Sequence, residues 1–325
     1  MRTAAVAAVM GVLASLAAAP SPAAAVTPPL LFGVATTLTA GSLDRIDQIQ
    51  ARVQAPVGIV HWFQSFPQAL LADRAKRVVA SGRIPLVTWQ PGVTGGGVTQ
   101  PAYTLAKLAD GTYDAYLREW GRALATVPGP VWLRFAPEMN GDWLPWSEGV
   151  NGNVRGSYVR AWRHVHDVVV AAGARNVLWL WCPNVPYVGT TPMAGMYPGD
   201  AYADLVGLDG YNFGTTKSTG WRTYRQVFDR GLAELAVITT RPVVIAEVGS
   251  VEQGGSKAAW VTDAFRAMNA NSRIRAVVWF DVISAGRDFR IESSASSAQA
   301  FTTTLPTLTR LTRATTLSAP VRSGR

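Results

Sequence analysis

The chain has 325 residues, 48% of them hydrophobic and 16% charged, with a formal net charge of +9. That length and apolar fraction suit one large domain with a substantial core and exclude a disordered chain. The 30 Lys and Arg are scattered along helical patterns, which excludes a nucleic-acid footprint and leaves them as solvated helix faces.

Residues 1–25 read as a secretory signal. Arg2 supplies the positive charge, Ala4–Ala19 the apolar stretch, and Ala23-Ala24-Ala25 the small-residue cleavage site. Pro20 and Pro22 interrupt the run, which disfavours a membrane anchor, and no later stretch is long and charge-free enough to span a bilayer. The mature chain is therefore expected outside the cell, without a membrane contact.

Eight near-continuous apolar runs follow, as expected of parallel strands covered on both faces: Leu31–Thr36, Val57–Phe63, Ile84–Trp89, Val131–Ala136, Val177–Cys182, Leu205–Asp209, Val243–Ala246 and Ala276–Asp281. Helical patterns lie between them at Ser42–Val53, Pro67–Ala80, Tyr113–Thr126, Ser157–Ala172, Trp221–Thr239 and Lys257–Asn269, with a last one around Ala298–Leu311. The alternation predicts a (β/α)8 TIM barrel of one domain over 26–314, followed by a polar, frayed tail at 315–325. An open doubly wound sheet is the competitor, but GVATTLTAGS after the first strand lacks the glycine spacing of a phosphate loop.

The lone Cys182 cannot form an intramolecular disulfide, and inside VLWLWC it reads as a buried, inert thiol. His164 and His166 are two apart on a helix, so they face apart and do not make a metal pair. No flavin, nucleotide, pyridoxal or metal signature is present, and no cofactor is expected.

Two glutamates stand at strand ends, Glu138 in WLRFAPEMNGDWLPW and Glu247 in PVVIAEVGS. Two carboxyls on the top rim of a barrel are what glycosidic cleavage requires. Strand alternation puts Trp132, Arg134, Ala136 and Glu138 on one face, and by the same parity Val243, Ile245 and Glu247 on another. Arg134 is then placed to hold Glu247 as the anion while Glu138 carries the proton. The competing readings are a surface carboxylate for Glu138 and a structural ion pair for Glu247. Indoles stack on pyranose faces, and Trp62, Trp89, Trp143, Trp146, Trp181 and Trp279 fall at strand tops or the loops beyond. Trp132, Trp162, Trp179 and Trp260 read as core. Asn140, Asn184 and Asp209 are candidate hydroxyl partners, and His61 either donates to a sugar or is a satisfied structural histidine.

The runs LADGTYD at 108–114, WLRFAPEMNGDWLPW at 132–146, YVRAWRHV at 158–165 and NVLW at 176–179 resemble glycoside hydrolase family 26. The resemblance runs in order from about Leu31 to Asp281. It implies a retaining glycosidase with Glu138 as acid/base, Glu247 as nucleophile and Tyr211 as the tyrosine that hydrogen-bonds the nucleophile. It further implies a β-linked polysaccharide substrate, and Trp89, Trp143, Trp146, Trp279, Asn140, Arg134 and His61 are the remaining candidate contacts. Endo-β-1,4-mannanase is the family's best-known activity, with mixed-linkage β-glucan and β-1,3-xylan as alternatives. Pro137 departs from the family's usual His before the acid/base, which weakens the case for mannan more than the case for hydrolysis. A non-hydrolytic carbohydrate-binding barrel is the rival from another class. A monomer is expected.

Overall fold

A computed structural model describes residues 27–39, 42–187 and 189–314. The expected signal segment and C-terminal tail lie outside the described residues. Eight parallel strands follow one another in chain order: β1 Leu30–Thr36, β2 Ile59–Ser65, β3 Ile84–Gln90, β4 Val131–Phe135, β5 Val177–Trp181, β6 Leu205–Asn212, β7 Val243–Ser250 and β8 Ile274–Asp281. Pairing of β1 with β8 closes the ring. A hairpin of β9 Ile283–Ser284 and β10 Arg287–Asp288 extends the rim beyond β8, and β11 Leu311–Thr312 returns to pair with the start of β1. The predicted (β/α)8 barrel is the observed fold.

The surrounding helices are α1 Asp44–Val53, α2 Ala72–Ala80, α3 Leu105–Ala109, α4 Asp114–Ala125, α5 Ser157–Ala171, α6 Tyr224–Ile238, α7 Lys257–Ala270 and α8 Ala295–Thr304. Between β5 and β6 a short 3-10 turn, Met193–Met196, takes the place of a helix. The pattern predicts that α2 begins at Pro67, yet it begins five residues later. The backbone of 68–71 is committed elsewhere: Gln64 bonds Ala69 O and Leu71 N, while Gln68 O accepts from Tyr116 and Trp120. Those bonds take the carbonyls of Gln68 and Ala69 away from a helical first turn, and the first helical bond is accepted by Leu71 O.

Strand alternation sorts the apolar residues into two cores. Leu31, Ile59, Leu86, Trp132, Leu180, Val244 and Val278 fill the barrel interior. Val60, Val87, Leu133, Trp179, Ile245 and Val277 face outward and meet helix residues such as Ile46, Val78, Trp120, Trp162 and Phe265. Both faces of each strand are therefore dry, which is why the strands read as continuous apolar runs. The C-terminal strand ends and the loops beyond them are left to carry polar chemistry.

Candidate active site

Two strand ends depart from regular geometry. In β7, Leu208 of β6 pairs with Ile245 but Asp209 pairs with Glu247, so one extra β7 residue is inserted; the β8 side skips likewise between Ile245 and Val248. This bulge corrects the parity expectation. Val243 and Ile245 face the helices while Val244 and Ala246 face the interior, so regular alternation would turn Glu247 outward. The inserted residue turns it back into the barrel. At the end of β4, Ala136 (φ 43°) and Glu138 (φ 55°) both adopt left-handed backbone, which costs about 1–3 kcal/mol each for non-glycine residues. The conformation is held by Ala136 N to Trp89 O (2.9 Å), Glu138 N to Cys182 O (2.8 Å) and Tyr158 Oη to Ala136 O (3.0 Å).

Arg134 lies one layer below the rim and is buried. Its Nη1 donates to both oxygens of Asp209 at 2.8 Å, its Nε to Thr88 at 2.7 Å, and its Nη2 to Glu247. Tyr211 Oη donates to the other Glu247 oxygen. A buried guanidinium needs such compensation, and two buried carboxyls supply it. Glu247 is thereby fixed in orientation from below and from the side. Cys182, buried here, donates to Asp209 at 3.2 Å, and burial pushes its thiol well above the usual range.

Glu138 sits at the rim, partly exposed. It accepts from Trp143 Nε1 (2.8 Å) and Asn184 Nδ2 (2.9 Å). Desolvation first, then the negative charge of Glu247, raise its carboxyl above the ordinary carboxylate range, while those two donors pull it back. The arrangement favours a protonated Glu138 beside a Glu247 held by Arg134 and Tyr211. Gly141 is required here, because a Cβ would lie 1.9 Å from the Trp143 ring.

Trp143 stacks on Tyr187 (5.6 Å between centroids) and, with Trp146, Gln90, Val93 and Ser65, lines a cavity of about 300 Å³. Trp146 is almost wholly buried, its Nε1 bonded to Pro137 O at 2.7 Å. Several expected sugar contacts are placed elsewhere. Trp89 and Trp279 are completely buried on the outer faces of β3 and β8: Trp89 stacks on Trp120 at 4.0 Å, and Trp279 packs against Phe265 and Phe301. Trp62 and Trp181 point outward too. Asn140 is buried, its amide spent on the Asn184 backbone at 2.9 and 2.8 Å, so it ties two loops together. His61 is buried beneath the cleft, bonded to Thr88 at 2.7 Å; burial, and secondarily the Arg134 charge, hold it well below the usual imidazole range. Arg134 is spent entirely on protein partners and positions Glu247 from underneath.

Phenylalanines that sequence reading passed over form the other wall. Phe63 and Phe280 meet edge to face at 6.4 Å, and Tyr211 contacts Phe280, Phe213 and Phe289 at 5.2–5.5 Å. The available signal was parity: Phe63 and Phe280 each neighbour a tryptophan that faces outward, so they face in. Among the described residues no cluster of three or more His, Cys, Asp or Glu could hold a metal ion, and no helix is long and apolar enough to cross a membrane.

Residues 115–260 match the family model described as Glycosyl hydrolase family 26. The chain is 34% identical over 276 residues to Endoglucanase H of Acetivibrio thermocellus, covering 82% of this chain and 29% of that protein. It is 25% identical over 215 residues to a β-1,3-xylanase of a Vibrio species, covering 64% of this chain and 41% of that protein. It thus spans less than half the length of either relative. Among solved structures, an endo-β-1,4-mannanase of Cellulomonas fimi matches with a TM-score of 0.65 at 21% identity, covering 89% of this chain and 73% of that one, a likeness of fold.

Proposed function

The chain belongs to glycosyl hydrolase family 26, and from that membership we propose that it is a retaining hydrolase of a β-linked polysaccharide. The observation that carries this reading is the asymmetry of the two rim carboxyls. Glu247 on β7 is gripped by Arg134 and Tyr211, while Glu138 beyond the end of β4 is biased toward its protonated form. In the first step Glu247 attacks the anomeric carbon, and the glycosidic C–O bond breaks as Glu138 gives its proton to the leaving oxygen. In the second, Glu138 takes a proton from water, and the resulting hydroxide releases the sugar from Glu247. Retention calls for carboxyl groups about 5–5.5 Å apart.

Mannan is the family's commonest substrate, but a β-glucan is the substrate we favour. The relative named an endoglucanase is similar along 82% of this chain, and Pro137 stands where mannan-cleaving members usually carry His. The N-terminal pattern of 1–25 supports action outside the cell.

The test is release of reducing ends from mixed-linkage β-glucan, glucomannan, galactomannan and β-1,3-xylan. Glu247→Ala and Glu138→Ala are each expected to lower kcat by about 10²–10⁴-fold or more while melting cooperatively. Proton NMR of the first product should show the β-anomer. Wild-type-like turnover in Glu247→Ala would refute the nucleophile assignment, and α-product would refute double displacement.

A further inference from the structure

At the β6–β8 corner of the cleft, two loops each bring one cation to the same ring. Lys217 Nζ lies 3.9 Å from the Phe213 centroid, and the Arg287 guanidinium carbon lies 5.5 Å from it. Phe213 in turn packs 5.5 Å from Tyr211, the residue that donates to Glu247. Arg287 is aimed by Thr216, whose Oγ1 accepts from Nε at 2.8 Å and whose carbonyl accepts from Nη2 at 3.2 Å; Nη1 reaches Ala285 O at 3.4 Å.

No carboxylate among the described residues lies within ion-pair distance of either cation. The adjacent Asp288 is taken by Arg290 at 2.6 Å. Burial and the Arg287 charge lower the Lys217 ammonium, and the Glu138 carboxyl raises it, so Lys217 stands within the field of the rim acid. Beside Trp143 the charge is of the opposite sign, with exposed Asp142 close enough to act on Tyr187. A solvated surface cation gains only about 0.5–1 kcal/mol from an exposed ring. That gain alone does not account for two like charges converging on one phenylalanine at a cleft wall.

We propose that Lys217, Arg287 and Phe213 form a subsite for a carboxylate carried by the polysaccharide. The sugar face lies against Phe213, and its acidic group is taken by the ammonium and by the remaining N–H groups of the guanidinium. This rests on the reading of the cleft as a polysaccharide site and deepens it by naming an acidic β-glycan as the preferred substrate class. The acid has two possible sources, a uronate in the main chain or a pendant acidic substituent.

Affinity electrophoresis in the cold separates these sources, using gels that contain neutral mixed-linkage β-glucan, the same glucan oxidised at C6, or the same glucan carboxymethylated. Because the whole chain is cationic, the comparison that matters is wild type against Lys217→Gln/Arg287→Gln, with Lys217→Gln alone as the milder variant. Wild type is expected to bind one anionic polymer about tenfold more tightly than the neutral one. That ratio should fall toward one in the double variant, fall part-way in the single variant, and shrink at high salt. The polymer that gives the preference identifies the source.

Equal retardation by all three polymers, or an undiminished ratio in both variants, would overturn the proposal. Hydrolysis of all three polymers, assayed separately, keeps the two readings apart. Preference without cleavage defeats the hydrolase reading alone, and cleavage without preference defeats this one alone.

Discussion

The Glu138 carboxyl is raised above the ordinary carboxylate range against the pull of its own hydrogen bonds. Burial and Glu247 raise its carboxyl, while the donors Trp143 and Asn184 favour the anion. In its proposed role as general acid Glu138 must hold its proton, so kcat/KM should fall as pH rises through its pKa. Trp143→Phe keeps a ring against Tyr187 but removes the N–H donor, leaving desolvation less opposed. The basic limb of the kcat/KM profile should then move to higher pH by roughly half a unit to one unit, the worth of one hydrogen bond. An unmoved or lowered limb would mean that Trp143 does not set the acid. At this scale the sequence was informative about placement, since Trp143 meets Glu138 and Tyr211 meets Glu247. It was silent on Asn140, since an amide that faces a sugar and one that locks a neighbouring loop are written with the same letter.

At the scale of elements, alternation explains both what was legible and what was not. Apolar runs located all eight strands, but periodicity does not say which of two faces looks inward. Trp62, Trp89, Trp181 and Trp279 all proved to be on the outer face, and the cleft fell to Phe63 and Phe280. The β7 bulge was hidden for a different reason: an inserted residue leaves composition and hydropathy unchanged. Glu247 therefore came out on the inner face although the parity argument for it was wrong.

Helix α7 carries a feature no pattern announced, a fully buried lysine as its first residue. Lys257 Nζ bonds Arg290 O and Ser293 Oγ, each at 2.7 Å, beside the positive end of the helix. Burial lowers it to about 8 from 10.5. Between those values the unfolded chain holds a proton that the folded chain has released, so stability rises as pH increases from about 8 toward 10.5. The full effect is up to about 3 kcal/mol. Urea titrations across that range should show the rise in wild type and a flatter profile in Lys257→Met; identical profiles would remove Lys257 as the cause.

For the molecule as a whole, the barrel's two ends do different work. The C-terminal strand ends hold the carboxyls under backbone strain and with a buried guanidinium, both of which cost stability. The opposite end closes the ring, and Arg310 is central there. Its buried guanidinium donates to the carbonyls of Pro28, Asn269, Asn271 and Ile274 at 2.7–2.9 Å, joining the entry to β1, the end of α7 and the start of β8. The Arg310 carbonyl itself accepts from Leu30 N at 2.8 Å, beside the β1–β11 pairing. No carboxylate among the described residues takes part. The guanidinium is matched to the carbonyl end of a helix, where a cation is favoured. Arg310→Ala strands several carbonyls at once and should cost about 2–4 kcal/mol, which for a domain of this size lowers Tm by roughly 4–10 °C. Arg310→Lys should recover less than half, because an ammonium cannot span carbonyls spread over that fan. Turnover measured well below Tm should stay close to wild type, since the substitution lies at the end remote from Glu138 and Glu247. A variant that lost turnover while keeping its Tm would contradict this division, and would mean that the strain at the rim is balanced through Arg310 and not locally by Trp89, Cys182 and Tyr158.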